Sequence, residues 1–286
     1  MPTISSAFQF QLGAAIVTVI NAGHLQLDLA ASLNVTKTEW SARYPPFFEQ
    51  PLSLPMQCVH LQLPTTSILV DATTYDLSPD SLFAIPGYQP PSDLWVQLTE
   101  IGIHPQEIAH VIITHAHFDH FNGTTVKRDG QYEPSFLNAR YYLGRADWEH
   151  VEPQDALVNR TLAVLNQQGV LELVDGDRNV APGVCIMAAP GETPGHQLVR
   201  LNSEGQVLYC LGDLYHHPVE VEQPTWMTHW ADPEACAASR QALVASALAE
   251  NALLVATHVP TIGRLQRAGS GVVWVEVFPK DERTQR

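Results

Sequence analysis

The feature that most constrains this chain is a cluster of three histidines and one aspartate, THAHFDH, directly after an apolar strand predicted at residues 110–113. Side chains alternate along an extended chain, so we expect His115 and His117 to point the same way. Asp119 and His120 can then fold around the turn to a neighbouring point. Neutral imidazole nitrogens and carboxylate oxygens are ligands of Zn²⁺, Fe²⁺ and Mn²⁺. The cluster therefore predicts a metal site at the end of a strand.

Three further residues of ligand type each follow a predicted strand: His196 in TPGH, Asp213 in LGD and His258 in ATH. The THAHFDH loop alone offers four ligands, which is too many for one tetrahedral metal that keeps an open position. A second metal ion accounts for this excess. If Asp213 bridges, each ion can take three further protein ligands, and two ions about 3.5–4 Å apart would share a hydroxide. The sequence thus predicts a two-metal site assembled from several loops at one sheet edge.

Strands and helices alternate along the chain, with antiparallel pairs at both ends, which favours a layered α/β fold. The predicted strands cover residues 8–19, 57–63, 67–70, 110–113, 140–143, 184–189, 206–211, 252–256 and 271–278. Asp232 followed by Pro233 is a typical helix start and predicts an Ala-rich helix to about Glu250. We expect one domain over residues 1–286, because no long linker divides the chain. Residues 26–55 are predicted to be either a pocket lid or a dimer arm.

The charge balance excludes some classes of partner. With 15 basic and 30 acidic residues the formal net charge is −15, whereas nucleic acid binding needs a basic surface that displaces counterions. An anionic membrane surface is disfavoured for the same reason. No apolar run approaches the roughly 18 residues of a spanning helix. A secretory signal would require basic residues near its start, but no Lys or Arg precedes Lys37. The four cysteines form no C-x-x-C pair. We expect a soluble, cytoplasmic protein that binds neither nucleic acid nor membranes.

The HxHxDH spacing, with Gly123 after it, resembles the signature of the metallo-β-lactamase superfamily of hydrolases. The resemblance extends from about Phe8 to Phe278, nearly the whole chain. It implies an αβ/βα four-layer sandwich of two mixed β-sheets with outer helices and the metals at one edge. It also implies two metal sites, with His115, His117 and His196 on metal one, Asp119, His120 and His258 on metal two, Asp213 bridging both, and Asp71 orienting a ligand imidazole.

Within this superfamily the sequence is most similar to the lactonase and organophosphate (methyl parathion) hydrolase branch. The segments IGIHPQEI, GDLYHH and HWADP carry the resemblance, whereas Ala22-Gly23 and the DATT at Asp71 depart from the usual loops of that branch. The branch implies opening of a lactone, such as an acyl homoserine lactone, or hydrolysis of a related small ester. An organophosphate or aryl ester hydrolase and a glyoxalase-II-like thioesterase are alternatives. Such thioesterases usually have a basic helical C-terminal region, whereas the segment VVWVEVFPKDERTQR predicts a strand and a short charged tail. A mononuclear iron dioxygenase is the non-hydrolytic alternative.

The resemblance further implies that a metal-bridging hydroxide attacks the substrate carbonyl carbon. His216 is the residue expected beside the carbonyl oxygen, with Tyr215 as the alternative, and Asp119 would pass a proton to the leaving alkoxide. Zinc is the expected metal, and Fe, Mn and Co fit the same ligands. The family also suggests a homodimer. Five apolar side chains in predicted loops either form the walls of an apolar pocket or anchor the core or an interface, namely Phe83, Tyr88, Trp226, Met227 and Trp230.

Overall fold

Two seven-stranded β-sheets form the framework of the protein in the computed structural model, which describes residues 7–277. The first sheet contains, in spatial order, β1 (Ala7–Leu12), β2 (Ala15–Leu27), β3 (Leu52–Gln62), β4 (Ser67–Val70), β5 (His110–Ile112), β8 (Arg140–Gly144) and β9 (Leu171–Val174). Two intervening strands, β6 (Thr125–Arg128) and β7 (Gln131–Pro134), pair only with each other. Neighbours are antiparallel from β1 to β4 and parallel from β4 to β9, so this sheet is mixed.

The second sheet is also mixed. It contains, in spatial order, β10 (Arg178–Ala181), β11 (Val184–Ala188), β12 (Gln197–Ser203), β13 (Gln206–Cys210), β14 (Leu253–Val255), β15 (Gly263–Ala268) and β16 (Gly271–Glu276). All neighbours are antiparallel except β13 and β14, which are parallel. Phe278, the predicted end of the last strand, lies outside the described residues.

The two sheets divide the sequence cleanly. Every strand of the first sheet precedes Asp175, and every strand of the second follows Asp177. Within residues 7–277 the chain therefore passes from one sheet to the other once, through the exposed turn formed by Asp175, Gly176 and Asp177. Gly176 has φ +68°, a left-handed conformation that glycine adopts without steric cost.

Ten α-helices, several of which pack on the outer faces of the two sheets, lie within residues 7–277. They are α1 (Leu29–Ser32), α2 (Lys37–Trp40), α3 (Pro45–Phe48), α4 (Leu94–Glu100), α5 (Phe118–Phe121), α6 (Arg145–His150), α7 (Ala156–Arg160), α8 (Leu162–Gln167), α9 (Val219–Glu222) and α10 (Pro233–Glu250), with a short 3-10 helix at Pro105–Glu107. The start of α10 confirms the prediction, because the Asp232 side chain accepts hydrogen bonds from the backbone N–H groups of Glu234 and Ala235. No helix in residues 7–277 is both long and apolar enough to cross a membrane.

Strand alternation separates three apolar layers. On β3, Val59 and Leu61 face an apolar core that also contains Leu208 of the second sheet, so this core lies between the sheets. Cys58, one position away, belongs instead to the cluster under the outer helices of the first sheet. On the far side, Leu243 of α10 packs against the second sheet. Helix, sheet, sheet and helix are thus stacked in four layers, and the predicted sandwich is confirmed.

The sequence prediction of a single opening strand over residues 8–19 differs from the structure, which forms the hairpin β1–β2. The turn is at Gly13, where φ is +56° and an added Cβ would lie 2.3 Å from the carbonyl oxygen of Ser203. Only glycine fits there. The apolar character continues on both sides of the turn, so hydrophobic pattern alone did not reveal it.

The segment predicted as a lid or dimer arm, residues 26–55, packs against the body of the protein. Its aromatic side chains form one cluster with Trp226 from the loop after α9. The Trp40 and Phe48 rings stack at a centroid distance of 5.5 Å, and Phe48 meets the Trp226 ring edge-on at 5.6 Å. Tyr44 meets the Trp226 ring at 5.6 Å as well. This cluster anchors the segment beside the loop that follows α9.

Candidate metal site

Sheet topology brings the predicted ligands to one edge. Strands β4 and β5 are parallel, so Asp71 and the THAHFDH loop both emerge from the same end of the first sheet. In the second sheet, parallel strands β13 and β14 end next to each other and lead into Asp213 and His258. His196 lies just before β12, which runs antiparallel to β13 and therefore starts at that same end. Loops at this edge can thus share one site.

One group of ligand-type atoms comes from His115, His117, Asp213 and a residue not predicted from the sequence, Glu192. All four atoms lie within 4.8 Å of one another. His115 Nε2 and His117 Nδ1 are 2.9 Å apart, and each lies 3.2 Å from an oxygen of Glu192. Nitrogen and oxygen lone pairs therefore converge on one point.

A second group comes from Asp119, His120 and His258, all buried. His258 Nε2 lies 3.4 Å from Asp119 Oδ2, and His120 Nε2 lies 3.6 Å from Asp119 Oδ1. The two groups meet at Asp213, whose Oδ2 is 3.2 Å from His258 Nε2, 3.4 Å from His120 Nε2 and 3.8 Å from His115 Nε2. Asp213 is thus in contact with both groups.

His196 is buried beside the first group, although its nitrogens are not among the atoms that converge there. Its ring centroid is 5.1 Å from that of His115. Its Nδ1 donates to the Ala189 carbonyl at 3.1 Å, so Nε2 carries the lone pair and accepts the backbone N–H of Asp213 at 3.2 Å. Nε2 therefore has the protonation that a metal ligand needs.

The same logic fixes the rings of the second group. His258 Nδ1 donates to the Pro55 carbonyl at 2.8 Å. His120 Nδ1 lies 2.9 Å from Asp71 Oδ2, and Asp71 Oδ1 accepts the backbone N–H of Thr114 at 2.7 Å. Hydrogen bonds of this kind orient metal-binding imidazoles and leave Nε2 directed at the ion. Asp71 thus occupies the position in which it can orient His120.

The buried carboxylates and imidazoles of the site shift one another's pKa values. Burial alone would raise the pKa of Asp213, but His258 and His120 outweigh it and hold that pKa well below its usual range. Burial alone would lower the pKa of His258, but Asp213 and Asp119 outweigh it and raise the pKa to about 9. Burial holds the pKa of His115 well below its usual range. Asp213 and Asp119 thus favour a proton on His258, whereas burial keeps His115 neutral.

Buried polar atoms without a hydrogen-bond partner indicate a metal site. Four buried side-chain atoms of these two groups have no hydrogen-bond partner, namely Asp119 Oδ2, His120 Nε2, Glu192 Oε2 and Asp213 Oδ1. Buried polar atoms in folded proteins are nearly always paired, because an unpaired one loses its hydration without compensation. Divalent cations would satisfy these atoms, so the residues present fit a metal site.

Two further residues hold the loops in place. Asp147 of α6 is buried, and its carboxylate accepts the backbone N–H groups of Ala116 at 2.7 Å and Gly195 at 2.6 Å. It thereby joins the histidine loop of the first sheet to the loop between β11 and β12. Gly212 has φ +52°, and an added Cβ would lie 2.8 Å from His196 Nε2. A larger residue before Asp213 would displace that imidazole.

A cleft of about 260 Å³ opens over the site. Its polar lining comes from both ligand groups and His216, and its apolar lining is Leu25, Leu27, Phe83, Phe118 and Trp230. Of the predicted wall residues, Phe83 and Trp230 line the cleft. Trp226 packs in the same cluster as Leu25 and Leu27 but does not line the cleft, Met227 packs in the cluster of the second sheet, and Tyr88 contacts His24 and Tyr75. Sequence reasoning missed Leu25, Leu27 and Phe118.

The structure distinguishes between His216 and Tyr215, the two candidates for the residue beside the substrate carbonyl oxygen. His216 lines the cleft, and its Nε2 lies 3.3 Å from Asp213 Oδ2. Tyr215 is only 2% exposed and belongs to the apolar cluster of the second sheet, where the guanidinium of Arg240 lies 4.7 Å from its ring centroid. Its hydroxyl is therefore buried in that cluster, and only His216 of the two lines the cleft.

A larger cavity, about 460 Å³, lies elsewhere and is lined by side chains such as Trp95, Lys127, Arg128 and Arg160. It contains no histidine, and two of its cations already pair with carboxylates, Arg128 with Glu133 and Arg160 with Asp76. Size alone would favour this cavity. The smaller cleft is nevertheless the candidate functional site, because residues of both ligand groups line it.

Glu192 is the site residue that sequence reasoning missed. It lies in the PGETPGH loop just after β11, four residues before His196. Its signal was present, because a carboxylate after a strand at the ligand edge is a candidate by the same rule that selected Asp213. Only His196 of that loop was predicted as a ligand from the sequence.

Comparison with known proteins gives a family match, curated relatives and similar solved structures. The model of the family described as the metallo-beta-lactamase superfamily matches residues 58–258. An N-acyl homoserine lactonase from Bacillus sp is 27% identical over 209 residues, covering 68% of this chain and 74% of that protein. The crystal structure of the hydrolase AbOPH superposes with a TM-score of 0.79 at 18% identity, covering 98% of this chain and all of that one. AidC, a dizinc quorum-quenching lactonase, superposes with a TM-score of 0.77 at 18% identity, covering 96% and 99% of the two chains.

Proposed function

The chain belongs to the metallo-beta-lactamase superfamily, and from this membership we propose that it is a dinuclear metal-dependent hydrolase that opens lactones or related small esters. The family match and the lactonase relatives identify it as a metal-dependent hydrolase. The observation that supports the finer proposal is the pair of buried ligand groups sharing Asp213 beneath an apolar cleft. We further propose zinc as the metal, with Fe, Mn and Co as ions that the same ligands accept.

The ligand roles proposed from the sequence assign His115, His117 and His196 to one ion, Asp119, His120 and His258 to the other, and Asp213 to both. Two divalent ions held there would activate water as the nucleophile and polarise the substrate carbonyl. The chain's own residues supply position and protons. Asp71 orients the imidazole of His120 through the 2.9 Å contact at Nδ1.

His216 and Asp119 are the proposed proton-handling groups. His216 Nε2 is directed at Asp213 across 3.3 Å and lies in the cleft lining, so a bound carbonyl oxygen beside it can accept a hydrogen bond. Asp119 Oδ2 is buried and unpaired, and a carboxylate placed there can carry a proton to the leaving alkoxide. Tyr215 has no part in this scheme because it lies outside the cleft lining.

The cleft walls favour a substrate with an apolar arm. Leu25 and Leu27 are at most 7% exposed, and the Phe83 and Phe118 rings are 6.0 Å apart between centroids. An acyl chain packed against them would gain about 0.8 kcal/mol for each methylene that it buries. The acyl homoserine lactones named for the relative have such an arm, and we propose that class first.

A substrate panel tests the proposal. The zinc- or cobalt-loaded protein is assayed on short- and long-chain acyl homoserine lactones, a δ-lactone, a glutathione thioester and an aryl phosphotriester. We expect lactone turnover to exceed the rest and to disappear in Asp213→Asn, while Asp175→Asn in the exposed turn keeps wild-type rates. Faster thioester or phosphotriester turnover would replace the substrate class. One iron per chain without any hydrolysis would favour the dioxygenase alternative. The cytoplasmic location and the homodimer stay predictions.

A further inference from the structure

Glu192 has surroundings unusual for a carboxylate in a folded protein. It is 3% exposed, and its two oxygens face two different imidazoles, with Oε2 3.2 Å from His115 Nε2 and Oε1 3.2 Å from His117 Nδ1. Oε2 has no hydrogen-bond partner. The carboxylate therefore points into the first ligand group without being satisfied there.

We propose that Glu192 is a direct ligand of the metal ion held by His115 and His117, which gives that ion a second carboxylate besides Asp213. The inference rests on the metal-dependent function proposed above. It adds Glu192 to the ligands proposed from the sequence and leaves their assignments in place.

The distances support coordination. Adjacent ligand atoms around one ion are separated by about 1.4 to 1.6 times the bond length, which is about 2.8–3.4 Å for bonds of about 2.0–2.1 Å. The two separations from Glu192 to the imidazole nitrogens are both 3.2 Å. Two nitrogens and a carboxylate at these separations enclose a space of the size of one ion.

Trp230 holds the carboxylate in this position. Its indole N–H donates to Glu192 Oε1 at 2.7 Å, and its ring lines the cleft. An indole that donates to a metal-binding carboxylate fixes the direction of its remaining lone pairs, as outer hydrogen bonds generally do. Trp230 thus connects the substrate wall to the proposed ligand, and Glu192 is oriented before any ion binds.

The test uses Glu192→Gln, which keeps the size of the side chain and an oxygen for Trp230 but removes the negative charge. Zinc affinity is measured on the metal-free chain by competition with a chromophoric chelator, and Co²⁺ absorption reports the geometry of each site. We expect one of two ions to bind at least tenfold more weakly, on the scale of losses seen when metal-site partners are removed, with the Co²⁺ bands of that site shifted. The control is Glu250→Gln at the end of α10, where the carboxylate bonds Arg200 and Tyr209. It should bind as wild type does.

Trp230→Phe supplies an independent variant, since it removes only the indole N–H. We expect it to weaken binding of the same ion by about tenfold, the low end of the loss that outer hydrogen-bond partners cause, and by less than Glu192→Gln does, because the charge of Glu192 is retained. Two ions bound by Glu192→Gln with wild-type affinity and unchanged Co²⁺ bands would overturn the inference and leave the proposed function standing. A wild-type chain that binds no metal would overturn both.

Discussion

The buried ion pair between Arg240 and Glu220 offers a quantitative test of how the loop after Asp213 is held. The guanidinium is 4% exposed and donates to the carbonyls of Leu214 and Trp226 and to Glu220 Oε1. Glu220 is fully buried, and its other oxygen accepts the backbone N–H of His216 at 2.6 Å. Burial alone would lower the pKa of Arg240, but Glu220 outweighs it and raises that pKa. The pair therefore fixes the backbone that carries His216.

Arg240→Met keeps much of the side-chain volume and leaves Glu220 as a buried charge without a partner. Breaking such a pair costs about 3–5 kcal/mol, and each of the two carbonyls left without a donor adds about 1 kcal/mol. We expect a loss of about 5–7 kcal/mol in the free energy of unfolding, measured by urea denaturation at a fixed zinc concentration. The double variant Arg240→Met with Glu220→Gln has no lone charge, so it should be more stable than Arg240→Met by about 2 kcal/mol.

Arg43→Met is the matched control. Its ion pair with Glu222, at 2.7 Å, has a similar length, but the arginine side chain is 63% exposed. Removing it should cost less than about 1 kcal/mol, since exposed pairs contribute little. A stability of Arg240→Met within about 1 kcal/mol of wild type would refute the reasoning. So would a double variant destabilised by the full sum of its single changes, because that result would show no coupling between the two residues.

Three other predictions concern metal affinity, pH and substrate length. Asp71→Asn removes the acceptor that orients His120, and chelator competition should show zinc binding about 10–100-fold weaker. Burial lowers the pKa of His60 to about 4 from an ordinary 6.5, so its contribution to stability is complete above pH 6.5 and is lost as the pH falls towards 4. Urea unfolding should therefore show wild type losing about 2 kcal/mol more than His60→Gln between pH 7.5 and 5; equal losses would contradict this. Phe83→Ala opens the apolar wall against Phe118, and KM should rise severalfold for long-chain lactones while short-chain values stay constant.

Much of the fold follows from local signals in the sequence. The alternation of strands and helices indicated a layered α/β fold, the resemblance carried by the HxHxDH motif implied the sandwich, and the Asp232 cap located the start of α10. The turn at Gly13 was not predicted because the residues on both sides of it are apolar, so the hydrophobic pattern shows no interruption there. Local patterns of this kind identify elements, but they do not contain the contacts between distant segments.

The site shows the same limit. Spacing alone suggested the residues that now lie together around Asp213, because loops at one strand edge must converge. It did not separate His216 from Tyr215, since neighbouring residues differ only in direction, and that direction depends on where Arg240 packs. Nor did it identify Glu192, whose partners His115 and His117 are more than 70 residues away in the sequence.

The single passage between the sheets has a consequence for how the molecule could be taken apart. Cutting the exposed turn at Gly176 would yield two polypeptides, each with one whole sheet and an incomplete set of ligands. The first would carry His115 and His120, and the second would carry Asp213 and His258. Neither fragment has the means to build the paired centre alone, so uptake of two zinc ions with the affinity of the uncut chain would report reassembly. Metal binding by the two fragments would therefore depend on their association, because ligands of the paired centre come from both halves of the chain.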